Sequence, residues 1–193
     1  LAIEHPVDAD LAISVPDSAT AAAVGYAQKS GIPYGEGLIK NRYVGRTFIF
    51  PEQHLRDIGV RRKLNPLNEV IRDKRLVVVD DSIVRGTTGS QVVALLRKGG
   101  AKEIHLRICA PPFKHPCYFG VDLPSRKDMI ASNRNVEEIC DFMGADSLGY
   151  LTIPALKRAV EKVSSKSCMA CFTGDYPIPV QLEMDKFVFE KTD

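Results

Sequence analysis

Two adjacent carboxylates, Asp80 and Asp81, follow directly after an apolar run and precede a short polar loop. The stretch Leu76 to Thr88 has the sequence LVVVDDSIVRGTT. Its four apolar, mostly β-branched residues, bounded by a turn, are typical of a central parallel strand covered on both faces. The loop leads into a helical pattern whose first backbone N–H groups lack intrahelical acceptors and attract an anion such as phosphate. Carboxylates beside a phosphate need partners of their own, and sugar hydroxyls or a divalent metal ion would supply them.

A second turn of this kind follows the short apolar run Leu11 to Val15. Pro16 ends the run, and Asp17 and Ser18 precede an Ala-rich helical pattern, Ala19 to Lys29, that stops at Gly31. Backbone N–H groups and a helix start could meet an anion here too. On local grounds alone Ser18 is more simply an N-cap, because that is the commonest role of serine at a helix start.

Cationic side chains are concentrated between Gly35 and Pro51, where Lys40, Arg42 and Arg46 are flanked by glycines. A cationic loop with glycine hinges could close over a polyphosphate and exclude water. The alternative is a solvated surface loop, which is the more common role of such charges.

Together these stretches resemble the amidophosphoribosyltransferases, a family of type I phosphoribosyltransferases. Leu76 to Thr88 is similar to the signature that binds phosphoribosyl pyrophosphate (PRPP) in those enzymes. The resemblance extends to NRYVGRTFI at Asn41 to Ile49, SVPDS at Ser14 to Ser18 and CMACFTGDYP at Cys168 to Pro177. It implies synthesis of phosphoribosylamine from PRPP and glutamine, at the start of purine synthesis. It covers nearly the whole chain but only the carboxy-terminal half of the family's proteins, so we expect the amino-terminal glutaminase domain to be missing.

The resemblance implies a role for each candidate residue. Asp80 and Asp81 would bind the ribose hydroxyls and Mg²⁺, and Ser18 would touch the metal from the pyrophosphate turn. Lys40 or Arg42 would close over the pyrophosphate, and the stretch from Arg85 to Thr88 would hold the 5-phosphate. Ammonia arrives as a neutral nucleophile, so the reaction needs placement of charge rather than a general base. The residues predicted to bind PRPP and the metal or to catalyse transfer are Ser18, Lys40, Arg42, Asp80, Asp81, Ser82, Arg85, Gly86, Thr87 and Thr88.

Cysteines suggest a second cofactor. Cys168 and Cys171 form a CxxC pair, which by itself fits zinc, a redox pair or an iron–sulfur ligand pair. With Cys117, the pair resembles the ligand set of the family's iron–sulfur subgroup. A [4Fe–4S] cluster takes four thiolates, and the family's fourth lies upstream of Leu1. The alternative is three free thiols, whereas Cys109 and Cys140 are expected to be ordinary buried cysteines.

Alternating strand and helix patterns predict an α/β fold with a central, mostly parallel sheet flanked by helices, which is the type I phosphoribosyltransferase fold in the resembling family. We assign residues 1–150 to the phosphoribosyltransferase core and 151–193 to a carboxy-terminal helix and cysteine-containing tail. After the signature, the predicted elements are a helix at Thr88–Lys98, a strand at Glu103–Ala110, a helix at Asn135–Met143, a strand at Ser147–Leu151 and a helix at Ala155–Val163.

Composition excludes some partners. A net charge of +2 gives no reason to expect a nucleic-acid partner, and no apolar run reaches the roughly 20 residues that span a bilayer. Five cysteines at uneven spacing argue against a secreted disulfide framework. We therefore expect a cytoplasmic protein, and the resemblance suggests a homo-oligomer, specifically a tetramer.

Two other functions stay open. A type I phosphoribosyltransferase with a nucleobase acceptor would carry a hood segment with aromatic and amide contacts, which we do not find in the sequence. A regulatory PRPP-binding module without catalysis would fit better with an altered Lys40 to Ile49 loop and without the CxxC pair.

Overall fold

The computed structural model describes residues 1–41, 64–162 and 167–180. Its strands are β1 (Leu11–Ser14), β2 (Leu38–Lys40), β3 (Leu64–Pro66), β4 (Arg75–Asp80), β5 (Glu103–Ile108) and β6 (Ser147–Tyr150). Its helices are α1 (Thr20–Ser30), α2 (Asn68–Ile71), α3 (Thr87–Lys98), α4 (Ile130–Asn133), α5 (Val136–Met143), α6 (Ile153–Val160) and α7 (Ala170–Thr173), with a 3₁₀ turn at Arg126–Asp128.

A parallel sheet in the order β1-β4-β5-β6 forms the centre of the protein. The signature strand β4 lies between β1 and β5, and Leu76, Val77, Val78 and Val79 each have 0% exposure. A continuous apolar run suits this position because helices cover both faces of the strand. The predicted parallel α/β architecture is confirmed.

Helices cover the sheet on both faces. On one face, Val78 and Leu106 share a core with Val92 and Leu96 of α3 and with Ile139 of α5. On the other face, Ala12, Val77 and Val79 pack against three residues of α1: Ala23, Tyr26 and Ala27. Alternate residues of β4 therefore point into different cores, and the strand is fixed from both sides.

A two-stranded antiparallel sheet of β2 and β3 packs onto the core that contains α3 and α5. Leu38 and Leu64 are each 4% exposed. Gly37 precedes β2, and a Cβ atom there would lie 2.8 Å from Cγ2 of Ile13 in β1. This close approach sets the position of β2, and with it that of Lys40, relative to the end of β1.

The predicted helix starts lie within two residues of those in the structure, and two of the differences concern the N-cap. Helix α1 begins at Thr20 after Ala19, so Ser18 is not its N-cap. Helix α6 begins at Ile153 instead of Ala155, because Thr152 acts as its N-cap and its hydroxyl accepts from the Ala155 N–H at 3.3 Å. Proline in the first turn is compatible with this earlier start, since a first-turn N–H has no intrahelical acceptor.

Several predictions fall outside the described residues. Arg42, Arg46 and the rest of the 42–49 motif lie there, as does Val163. The division into residues 1–150 and 151–193 stays a prediction. In the described part of the chain, no helix is both long enough and apolar enough to cross a membrane.

Candidate functional site

The carboxyl ends of β1 and β4 bring the two predicted anion turns together. The strands are parallel neighbours with Ser14 opposite Val79, and the Val15 N–H donates to the Val79 carbonyl at 2.9 Å. The turn that contains Ser18 therefore leaves the sheet beside Asp80. Ligands of open α/β sheets bind at this edge, beyond the carboxyl ends of the strands.

The neighbouring strand fixes the backbone of the two carboxylates. Cys109 and Ala110, which follow β5, donate N–H bonds to the carbonyls of Asp80 and Asp81 at 2.9 and 3.0 Å. The Asp81 N–H donates to Oδ1 of Asp80 at 2.8 Å, and the Ser82 hydroxyl donates to Oδ1 of Asp81 at 2.7 Å. Both carboxylates are thus held at the sheet edge, with Asp80 half-buried and Asp81 exposed.

Electrostatics at this pair favour a cation or a hydrogen-bond donor as ligand. Burial raises the pKa of Asp80 to about 7, the charge of Asp81 adds to the increase, and the hydrogen bond from the Asp81 N–H opposes it. Within residues 1–41, 64–162 and 167–180, no ion pair reaches either carboxylate. A half-buried carboxylate next to a like charge is unfavourable unless a positive ligand or several hydroxyl donors compensate it.

The loop after the carboxylates delivers the start of α3. Gly86 is the residue before the helix, with φ of +81°, and α3 has no side-chain cap. The N–H groups of its first turn are thus free of a capping side chain, as an anion site requires. Thr87 is half-buried, whereas Arg85 and Thr88 are exposed.

Close packing also requires glycine at position 86. A Cβ atom there would lie 2.7 Å from Cδ1 of Ile130 and 3.1 Å from Cε1 of Phe142. The Ile130 N–H donates to the Val84 carbonyl at 2.9 Å. Helices α4 and α5 therefore support one side of this loop.

The turn after β1 is built on a small hydroxyl network. The hydroxyl of Ser14 lies 3.3 Å from that of Thr20 and 3.4 Å from that of Tyr34. Ser18 is exposed, and its hydroxyl has no hydrogen-bond partner among the described residues. It is therefore available to a ligand, as the predicted role requires.

Lys40 reaches this turn from β2. Its Nζ atom lies 2.6 Å from Oδ2 of Asp17, in an ion pair that the sequence did not predict. We expected Lys40 on a loop that closes over the ligand, but it is the last residue of a strand that packs onto the core. Its proposed partner in closure, Arg42, lies outside the described residues.

Cys109 is a further residue of the site that sequence reasoning missed. It follows β5 directly beside Asp80 and is half-buried, as is Cys140. Burial raises the pKa of the Cys109 thiol to about 11, and the charges of Asp80 and Asp81 contribute to the increase. The rule that ligands bind at the carboxyl ends of strands could have identified it, since β5 was predicted to be parallel to β4.

Cys117 lies near the Cys168–Cys171 pair in the structure. The N–H groups of Lys114 and His115 donate to the Cys171 carbonyl at 3.0 and 3.1 Å. Burial raises the pKa of Cys171, and the charges of Cys117 and Cys168 add to the increase. The Phe119 N–H donates to Sγ of Cys117 at 3.4 Å. Among the described residues, no group of three or more His, Cys, Asp or Glu side chains is placed to hold a single metal ion.

Comparisons with known proteins connect this arrangement to one family. Amidophosphoribosyltransferase 1 of Arabidopsis thaliana is 54% identical over 187 residues, which cover 96% of this chain and 33% of that protein. The Mycobacterium tuberculosis amidophosphoribosyltransferase is 53% identical over 98% of this chain and 37% of its own length. That of Methanothermobacter thermautotrophicus is 51% identical over 95% and 39%. The chain thus spans between a third and two fifths of the length of these relatives. None of the protein-family profiles compared with the chain matches it.

Solved structures that superpose on this chain are of the same kind of enzyme as these relatives. The Bacillus subtilis glutamine PRPP amidotransferase in complex with ADP and GMP superposes with a TM-score of 0.80 at 50% identity, over 91% of this chain and 40% of that one. A structure described as the allosteric regulatory enzyme of purine biosynthesis superposes with a TM-score of 0.82 at 48% identity, over 94% and 40%. These superpositions confirm the type I phosphoribosyltransferase fold. Over nearly its full length, the chain is therefore a homologue of one part of the amidophosphoribosyltransferases.

Proposed function

We propose that this chain is the phosphoribosyltransferase part of an amidophosphoribosyltransferase. It would form 5-phosphoribosylamine and pyrophosphate from PRPP and ammonia, with ammonia derived from glutamine in the full-length protein. One observation supports this function above the others. Two turns suited to anions follow the adjacent strands β1 and β4, and they flank a pair of carboxylates that has no ion-pair partner among the described residues. A ligand that satisfies all three features has phosphate groups at both ends of a hydroxylated sugar, as PRPP does.

Magnesium fits the carboxylate pair. Mg²⁺ prefers hard oxygen ligands and neutralises nearby negative charge, and Asp80 is a half-buried carboxylate without a cationic partner among the described residues. Asp80, Asp81 and Ser18 would hold the ion. When bound, Mg²⁺ stabilises negative charge on the departing pyrophosphate.

The residues of the chain would bind and orient the two ends of the substrate. Backbone N–H groups at the start of α3, with the Thr87 and Thr88 hydroxyls, would hold the 5-phosphate. Asp80 and Asp81 would accept hydrogen bonds from the ribose hydroxyls, and Ser18 and Lys40 would contact the pyrophosphate. As the bond from the anomeric carbon to pyrophosphate breaks, the nitrogen of ammonia bonds to that carbon and then loses a proton to solvent. Catalysis by this site would thus come from fixed charges and orientation.

Ammonia should be the acceptor that this protein uses. Full-length protein incubated with PRPP and Mg²⁺ should release pyrophosphate when ammonium chloride is present at alkaline pH. Release without an acceptor, or with purine bases, should be negligible, because ammonia is the only acceptor in this proposal. A coupled pyrophosphate assay measures all three conditions. Release that depends on a nucleobase, or PRPP binding without any release, would contradict this function and favour one of its rivals.

We also propose that Cys117, Cys168 and Cys171 supply three ligands of a [4Fe–4S] cluster whose fourth ligand lies outside this chain. The support is the packing of the Lys114–Cys117 segment against Cys171, the N–H donated to the Cys117 sulfur, and aromatic pairs in the same region. Tyr118 and Tyr176 pack edge to face with centroids 5.1 Å apart, and Phe113 lies 4.9 Å from Phe172. Such a cluster binds its thiolates at different irons, so they need not converge on one metal ion.

Replacement of Cys168 by serine should remove most of the cluster from the full-length protein, because the variant loses one of four thiolate ligands. Iron and acid-labile sulfide content, with the visible absorption spectrum, measures the loss directly. Cys140→Ser is the matched control, since the Cys140 thiol donates to the Ala145 carbonyl and lies on α5. If both variants retain the wild-type iron content, or if the wild type contains none, these cysteines do not bind a cluster.

Assembly and regulation are extensions of the same proposal. We propose a cytoplasmic homo-oligomer, of which a tetramer is the specific form, and purine nucleotides as further ligands. The support for nucleotide binding is that the B. subtilis relative was solved with ADP and GMP.

A further inference from the structure

The ion pair between Lys40 and Asp17 lies inside the turn that would bind pyrophosphate. The side chain of Lys40 is 29% exposed and that of Asp17 is 58% exposed. Lys40 is held in place by the core, because Leu38 is buried and Gly37 packs against Ile13. The fold therefore presents its ammonium group to the turn.

A carboxylate in this turn opposes the proposed function. Pyrophosphate carries several negative charges, and Asp17, which directly precedes Ser18, adds a further negative charge to the turn. Exposed ion pairs of this kind add little to folding stability, so stability alone gives no reason for an acid here. Instead, Asp17 neutralises the charge of Lys40 while the turn has no ligand.

We infer that Asp17 is a positioning residue: its carboxylate holds the Lys40 ammonium group until pyrophosphate displaces that carboxylate. This inference depends on the proposed function and refines it. In the free protein the Asp17 carboxylate forms an ion pair with Nζ of Lys40. In the complex, phosphate oxygens of the ligand replace the Asp17 carboxylate as the partner of Nζ. When the product dissociates, Asp17 binds Lys40 again, and this competition favours departure of pyrophosphate. Asp17 thereby weakens pyrophosphate binding and keeps the lysine oriented.

Titration of the full-length protein with sodium pyrophosphate and Mg²⁺ in a calorimeter tests the inference. Asp17→Asn should tighten pyrophosphate binding by about three- to tenfold, and the gain should shrink as the salt concentration rises. In a Lys40→Met background the same change should give less than about a twofold gain, because no competition for the ammonium remains. Asp8→Asn is the matched control: it breaks the ion pair between Asp8 and Arg75, at the opposite end of β4, and should leave binding unchanged.

Three results would overturn the inference. Weaker or unchanged binding by Asp17→Asn would show that the acid supports pyrophosphate binding or takes no part in it. An equal gain with and without Lys40 would show that Asp17 acts by general repulsion and not by occupying the lysine. Failure of the wild type and the Asp8→Asn control to bind pyrophosphate would remove the proposed function as well. Thermal unfolding of each variant verifies that it is folded under the conditions of the titration.

Discussion

Replacing Asp80 with asparagine is expected to lower kcat/KM for PRPP by about a hundred- to a thousandfold, a loss typical of removing one fixed group that stabilises a transition state. Asparagine has nearly the same shape and can still accept the hydrogen bond from the Asp81 N–H, so the backbone should be preserved. What it lacks is the negative charge that would hold Mg²⁺. Steady-state kinetics in the full-length protein, with ammonia as the acceptor, measures the loss.

The same substitution should stabilise the ligand-free protein above neutral pH. Folding raises the pKa of Asp80 from 3.8 to about 7, mainly by burial. Between these values the folded state binds more protons than the unfolded state, so the stability contributed by protonated Asp80 is complete below about pH 4 and is lost as pH rises through 7. The asparagine side chain does not titrate in this range, and the Asp80→Asn variant should gain about 1 to 3 kcal/mol over wild type at pH 8 relative to pH 4.

Asp10→Asn is a control for which the expected change in stability at pH 8 has the opposite sign. The Arg75 side chain and backbone donate hydrogen bonds to Asp10 and lower its pKa to about 2. Its stabilisation is present above about pH 4 and is lost as pH falls through 2, so Asp10→Asn should be less stable than wild type at pH 8. Denaturant unfolding of the full-length protein with EDTA at pH 4 and pH 8 separates the two cases. A stability difference between Asp80→Asn and wild type that does not vary with pH would show that burial does not penalise the Asp80 charge.

Gly86→Ala is expected to cost about 2 to 4 kcal/mol of stability and to abolish measurable binding of the 5-phosphate end of PRPP. Two causes add: φ of +81° is unfavourable for an L-residue, and the new Cβ would lie 2.7 Å from Cδ1 of Ile130. Relief of either problem moves the start of α3, and with it the N–H groups proposed to hold the phosphate. Denaturant unfolding and calorimetric titration with PRPP measure the two effects.

Matched variants separate the two causes. Gly25→Ala lies inside α1 with nothing within 4 Å of the new Cβ, so it should be neutral or slightly stabilising. Ile130→Val deletes the methyl group that the Cβ introduced by Gly86→Ala would meet, so the Gly86→Ala/Ile130→Val protein should recover part of the stability lost by Gly86→Ala. If Gly86→Ala binds PRPP as wild type does, the start of α3 is not the phosphate site.

Local patterns in the sequence predicted much of the fold. The apolar run before Asp80 predicted a buried parallel strand, and the helix–strand alternation after Thr88 predicted the order of the elements that cover it. These features depend on burial and periodicity, which a single sequence displays directly. Helix starts were predicted less accurately. Helix α6, which Thr152 caps, begins two residues earlier than the apolar pattern indicated.

Contacts between distant segments could not be predicted in the same way. Lys40 was selected for its charge, but its pairing with Asp17 depends on how β2 packs over β1. Cys109 was expected to be a structural residue, and its position beside Asp80 follows from the pairing of β5 with β4. The sequence indicates which groups can do chemistry, whereas three-dimensional packing decides which of them meet.

The pairing of β1 with β4 has a consequence for how ligand binding and folding are coupled. These strands are distant in the sequence, and their shared hydrogen bonds hold the two anion turns at a fixed separation. A ligand that spans both turns acts as a cross-link between the strands, so it stabilises the pairing that its own binding requires. Transient opening of this strand pair would divide the site in two, and ligand affinity would then depend on the local stability of the sheet as well as on contacts at the site.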